Sequence, residues 1–158
     1  MQENATKVQV AAQTVFPLFV VIGIIGFGIW PVMYLSMREK SINKALGAEL
    51  IPHWLTVTQI ALLCTTLGLH FLGTAAGSDD ITALSTITGL AMSAMWIVFA
   101  FRAKQVLEDV IALQWKLPHY RLNSAWTFFF NLFYIVYCLN DLPHAVQRAQ
   151  AADQGVRA

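Results

Sequence analysis

The sequence predicts an all-α integral membrane bundle of four transmembrane helices, and three observations lead there. Apolar residues make up 57% of the 158 residues and charged ones 12%, against roughly half and a quarter in soluble domains. The apolar residues gather in four runs, each near the ~20 residues that a helix needs to cross a bilayer core. The charges lie between those runs. At this length one domain is expected.

The first span is expected over about 16–37, FPLFVVIGIIGFGIWPVMYLSM, with a kink at Pro31. Gly23 and Gly26 leave one face bare for a neighbouring helix. The second span is expected over about 54–76 and carries several threonines, Gln59 and His70. The turn AGSDD is short, so the third span, about 81–101, must run antiparallel beside the second. Asp79 or Asp80 is expected to cap it. Ser85, Gly89 and Ser93 recur every four residues and predict a second packing seam.

Beyond Phe101 the apolar pattern narrows to Val106, Val110, Leu113 and Leu117. That spacing predicts an amphipathic helix over about 102–117, either prolonging the third span into the cytoplasm or lying on the membrane. Pro118 is expected to end it. The fourth span, about 122–141, reads LNSAWTFFFNLFYIVYCLND and is the densest aromatic stretch in the chain, with Asn131 at its middle. A short terminal helix is expected over about 143–154, opened by Pro143 and stopped by Gly155.

Arg38, Lys40 and Lys44 lie in the first connection, and Arg102, Lys104, Lys116 and Arg121 in the third; the second has no basic residue. The preference of basic residues for the cytoplasm puts the first and third connections inside and both termini outside. The N-terminal MQENATKVQVAAQ lacks a basic region and no A-x-A site follows the first apolar run, so no signal peptide is expected. Net charge is +1, which leaves no polybasic field for nucleic acid. Cys64 and Cys138 both fall inside apolar runs and read as small buried hydrophobes.

Two stretches carry a resemblance. GIWPVMYLSMREKSIN is similar to the G-I-Y-P-x-Y-W-F-Y-x-x-x-x-x-I-N pattern of a family of small bacterial membrane proteins, a domain of unknown function. LNSAWTFFFNLFYIVYCLNDL resembles a second element of those proteins, matching at Thr127, Phe128, Phe129, Phe130, Tyr134, Tyr137 and Asn140. Where the family has Tyr-Trp in the first element, this chain has Met33-Tyr34. The resemblance implies a multi-span fold in the bacterial inner membrane. It implies no activity and transfers no site residue.

Ionisable residues inside spans are functional candidates, and His70 is the one histidine well inside a span. In a four-span topology it shares the outer face with Asp141 and His144, which stand three residues apart. These three are the conceivable metal ligands. A histidine hydrogen-bonded between helices is the commoner arrangement, and no H-x-x-x-H or C-x-x-C supports a metal, so none is predicted. A haem within one chain would need a second histidine at matching depth. No cofactor is therefore predicted from the chain alone; a haem, pigment or quinone would be shared with a partner.

The aromatic row of Trp126, Phe128, Phe129, Phe130, Phe133, Tyr134 and Tyr137 suits a groove for a lipid tail, quinone or pigment, although core packing and lipid contact account for most such rows. There is no G-x-S-x-G, H-E-x-x-H, P-loop or pair of intramembrane carboxylates. The expected function is thus non-enzymatic: an accessory or structural membrane subunit that packs against copies of itself or against other subunits. The alternative is a small homo-oligomeric channel or transporter lined by Gln59, Thr66 or Asn131.

Overall fold

The structure is a computed structural model that describes residues 1–14, 16–25, 29–117 and 120–156. Among the described residues it is helical with no strand: α1 (Gln2–Ala12), α2 (Phe16–Ile25), α3 (Ile29–Leu46), α4 (His53–Ala76), α5 (Asp79–Asp109) and α6 (Ser124–Val156). The chain divides into a helical head and a protruding hairpin.

The hairpin is α4 and α5, which run antiparallel. Gly77 closes α4 in the left-handed conformation (φ 61°) that a residue with a side chain rarely adopts. The Ser78 N–H returns to the Gly73 carbonyl at 3.0 Å, so α5 starts at once, with Ser78 as its N-cap and Asp79 and Asp80 inside its first turn. The caps expected at Asp79 and Asp80 therefore stand one position earlier. Counted with the π turn that follows α5, these two helices span 24 and 36 residues and are long and apolar enough to cross a membrane. Leu72, Ile87, Leu90 and Val98 on their outer faces are all more than 60% exposed.

The other two apolar runs fold back on themselves. Phe19 of α2 lies 4.8 Å, ring to ring, from Tyr34 of α3; one unbroken helix would hold them about 22 Å apart. In α6 the break is at Asn131, whose backbone (φ 32°, ψ −113°) is not helical. There the Asn123 N–H donates to the Tyr134 hydroxyl at 3.1 Å across eleven residues, a separation of about 16 Å along a straight helix. Phe19 also meets Phe133 edge-on at 5.5 Å, so the two folded-back units touch.

The head is assembled from α1, α3, the far half of α5 and the C-terminal arm of α6. Helix α1 buries Ala5, Val8 and Ala12, lying antiparallel to α3 and to α6. The Tyr34 hydroxyl donates to the Ala12 carbonyl at 2.7 Å. Gln9 and Gln2 donate to the Asn140 and Pro143 carbonyls at 2.9 and 3.3 Å. The separate terminal helix expected from Pro143 is instead the continuation of α6, which runs through Pro143 and Gly155 to Val156.

Beyond Phe101, α5 continues without a bend and then widens into a π turn, Val110–Gln114. A π turn admits one extra residue and rotates the face that follows. The buried row is accordingly Ala103, Leu107, Val110, Ile111 and Trp115, while Leu113, expected inside, is 78% exposed. The stop expected at Pro118 lies outside the described residues.

These fold-backs change which ends lie together. Asn4, Lys7, Lys44, Gly47 and Gln114 line one cavity of about 580 Å³. The N-terminal helix thus stands beside the first and third connections, where a four-span path would set it on the opposite face. The reason is arithmetic: a run that folds back returns the chain to the side from which it entered.

Candidate functional site

The fold of α6 at Asn131 builds an apolar recess of about 790 Å³, with Val20 of α2 closing one side. Its walls are Trp126, Phe129, Phe130, Phe133 and Tyr137; besides the Tyr137 hydroxyl, its polar groups are Asn123, Asn131 and Tyr134. Among the described residues no charged side chain lines it. Trp126 and Phe130, one turn apart, stack at 5.0 Å with their planes 28° apart, an offset arrangement that aromatic pairs favour.

The three polar groups share one bonding pattern. Asn123 caps α6, its Oδ1 accepting from the Ala125 and Trp126 N–H at 2.9 and 3.3 Å. Asn131 Oδ1 accepts from the Leu132 N–H at 2.5 Å, satisfying a donor at the break. The Tyr134 oxygen accepts from the Asn123 N–H. Since a backbone N–H pairs only with the oxygen of a side-chain amide, both amide orientations are fixed. The Nδ2 hydrogens of Asn123 and Asn131 have no acceptor among the described residues. The recess therefore presents hydrogen-bond donors and aromatic faces.

Behind it, Glu108 fastens the connection that leads into α6. It is only 7% exposed, and its Oε1 accepts the Leu122 N–H at 2.6 Å. Lys104 and Arg121 flank the carboxylate at 3.8 and 3.6 Å. Lys104 also donates to Ser124 Oγ at 2.8 Å. Tyr120 packs in the same corner, where burial pushes its hydroxyl pKa well above the ordinary tyrosine value, with Cys138, Tyr134, Asp141 and Glu108 adding to the rise.

The candidates read from the sequence disperse. His70 is exposed on the distal part of α4, about 25 Å along the helix from His53. Asp141 is on the head, paired with Arg148 at 2.6 Å, and His144 is exposed there. Among the described residues no group of three or more His, Cys, Asp or Glu is placed to hold a metal ion. His53 pairs with the buried Glu39 at 3.2 Å, and His119 lies outside the described residues.

The seam at Ser85 and Gly89 faces α4 of the same chain: Ser85 Oγ donates to the Thr66 carbonyl at 3.1 Å, and a methyl on Gly89 would meet Thr66 at 3.8 Å. Ser93 is exposed, its hydroxyl turned to the Gly89 carbonyl. Gly26 lies outside the described residues, and so do the surroundings of Gly23. Of the pore candidates, Gln59 is fully buried and neither end of its amide has a partner among the described residues; the Thr66 hydroxyl donates to Thr88 at 3.1 Å.

Sequence reasoning passed over Glu108 and Gly73, where an added methyl would stand 2.7 Å from Thr82 Oγ1. It also passed over Asn43, whose side chain grips both the N–H and the carbonyl of Ile51 at 2.9 and 2.7 Å. Only Asn123, an asparagine set directly before an apolar helix, had a local signal. No family model, curated protein or solved structure matches the chain.

Proposed function

We propose that the chain is a non-enzymatic membrane protein, an accessory or structural subunit whose helical head is anchored by the α4–α5 hairpin. The two folded-back runs enter the same leaflet from the head side. In this reading the chain crosses the bilayer twice, and the four-span path is replaced. The resemblance in the two aromatic elements makes the membrane the bacterial inner one.

The observation that carries the reading is the distribution of charge. Every one of the ten lysines and arginines lies outside residues 54–101, where Asp79 and Asp80, at the hairpin tip, are the only charged residues. Basic residues remain on the cytoplasmic side of a membrane, so the head, both connections and both termini are cytoplasmic and the tip is outside. This separates the charges more completely than four spans would. A subunit role is supported by aromatic surface in excess of the anchor: Trp126, Phe128 and Phe129 on the first arm of α6 are each at least half exposed. The polar side chains that a pore would use point elsewhere, since Gln59 is enclosed and Thr66 bonds across the hairpin.

The test is topology labelling in whole cells, with Cys64 and Cys138 replaced by serine. A cysteine at Ser78 should react with an impermeant maleimide from outside. Cysteines at Lys40 and Gln147 should react only after permeabilisation. External labelling at Gln147 would restore the four-span path, and ion flux through the purified protein in liposomes would replace the subunit reading with a channel.

A further inference from the structure

We propose that the recess at the fold of α6 is a binding site for a neutral, planar, carbonyl-bearing lipophile of the quinone class. The chemistry of its wall selects that class by complementarity. With no charged side chain among the described residues of its lining, the recess offers an ionic ligand no counter-charge. Its two side-chain amides have their oxygens occupied by backbone N–H groups, at Ala125 and Trp126 for Asn123 and at Leu132 for Asn131. What each has left is a pair of N–H donors. Asn123 is exposed and Asn131 half-buried, so these donors are open to an incoming acceptor. An occupant complementary to these two amides supplies acceptors, as the two ring carbonyls of a quinone do.

The aromatic walls narrow the choice. The Trp126–Phe130 stack presents flat faces suited to a conjugated ring. A simple acyl chain would leave the amides unpaired, and a glycerolipid ester would answer the amides without using the stack. Among the described residues of the wall there is no histidine, cysteine or methionine to ligate a haem iron. The volume, about 790 Å³, lies within the usual range for small-molecule sites, about 300–1,000 Å³. It holds a ring headgroup, with the tail leaving along the exposed apolar surface of Leu18 and Phe129. The membrane reading supplies the ligand's route of entry and nothing else in the argument.

Two substitutions remove the donors and leave the architecture. Asn123→Ser keeps a capping oxygen at the start of α6. Asn131→Gly keeps a residue at ease with positive φ. The experiment is a titration of the purified full chain, in phosphatidylcholine nanodiscs, with decylubiquinone, followed by tryptophan fluorescence; Trp126→Phe identifies the share of the signal that comes from the recess. Saturable quenching lost in Trp126→Phe is expected, with binding about tenfold weaker in the double variant, since two neutral hydrogen bonds at about 1 kcal/mol each exceed the ~1.4 kcal/mol that a factor of ten represents. Should the double variant lose its helical circular dichroism, Asn123→Ser alone carries the test, with a several-fold loss expected. Unchanged affinity in the folded variants, equal competition by decylbenzene, which has no carbonyl, or the absence of saturation would overturn the proposal. The readout is independent of the direction in which the chain crosses the membrane, so its failure and that of the topology are separately visible.

Discussion

At the scale of single residues, the side chains that matter most bond the backbone. Glu108 holds the Leu122 N–H, Asn43 holds both backbone groups of Ile51, and Asn123 and Asn131 satisfy N–H groups on either side of the recess. A hydrogen bond to a buried charge is worth about 1.5–3 kcal/mol. Glu108→Ala should therefore lower the unfolding free energy of the detergent-solubilised protein by about 2–3 kcal/mol, measured by denaturant titration. Glu108→Gln, which retains an acceptor, should lose less. Equal losses in the two variants would mean that the charge and not the bond fastens the connection. These roles were hard to see in the sequence for a physical reason. Glu108 is buried because Tyr120, Arg121 and Leu122 come back over it, and nothing in VLEDVIALQ reports that return. Asn123 could be read, because a cap depends on the four residues that follow it.

Elements were legible in kind and illegible in path. The all-helical architecture, the α4–α5 hairpin and its short turn are all expected from apolar period and turn chemistry. The fold-backs of the first and fourth runs are not, because a hydropathy window sums twenty residues and a reversal takes one backbone angle. Asn131 is the case in point: an asparagine within an aromatic run scores as a polar residue in a span, while its tolerance of positive φ is what allows the chain to turn. The π turn defeats the amphipathic pattern in a similar way, since periodicity presumes a constant number of residues per turn. Within the hairpin, Gly73 sets the closest approach. Gly73→Leu would drive a side chain against the Thr82 backbone, 3.0 Å from the position of its Cβ. It should destabilise the fold by about 1–3 kcal/mol as overpacking does. Gly89→Ala, with its methyl at an ordinary contact distance from Thr66, is the matched control and should leave the melting temperature in detergent unchanged. A Gly73→Leu protein that melts with the control would remove the tight crossing from the account.

At the scale of the whole molecule, one end collects nearly all the charge and the other presents a single turn bearing Asp79 and Asp80. On the proposed two-span reading, that turn is the part of the chain that has to cross the membrane. On the two-span reading, biogenesis must carry across the bilayer no folded domain and no tail, only a helical hairpin whose leading edge holds two carboxylates. In a bacterial inner membrane, the one proposed above, the inside is negative, so an ionised carboxylate moving outward travels down the electrical gradient, with a gain of about 2.3 kcal/mol per charge for each ~100 mV. The potential should thus pull the hairpin through. Discharging it with a protonophore should slow the appearance of the Ser78 cysteine label outside, and Asp79→Asn/Asp80→Asn should make insertion indifferent to the potential. Placing lysines at both positions should turn the same field into a barrier.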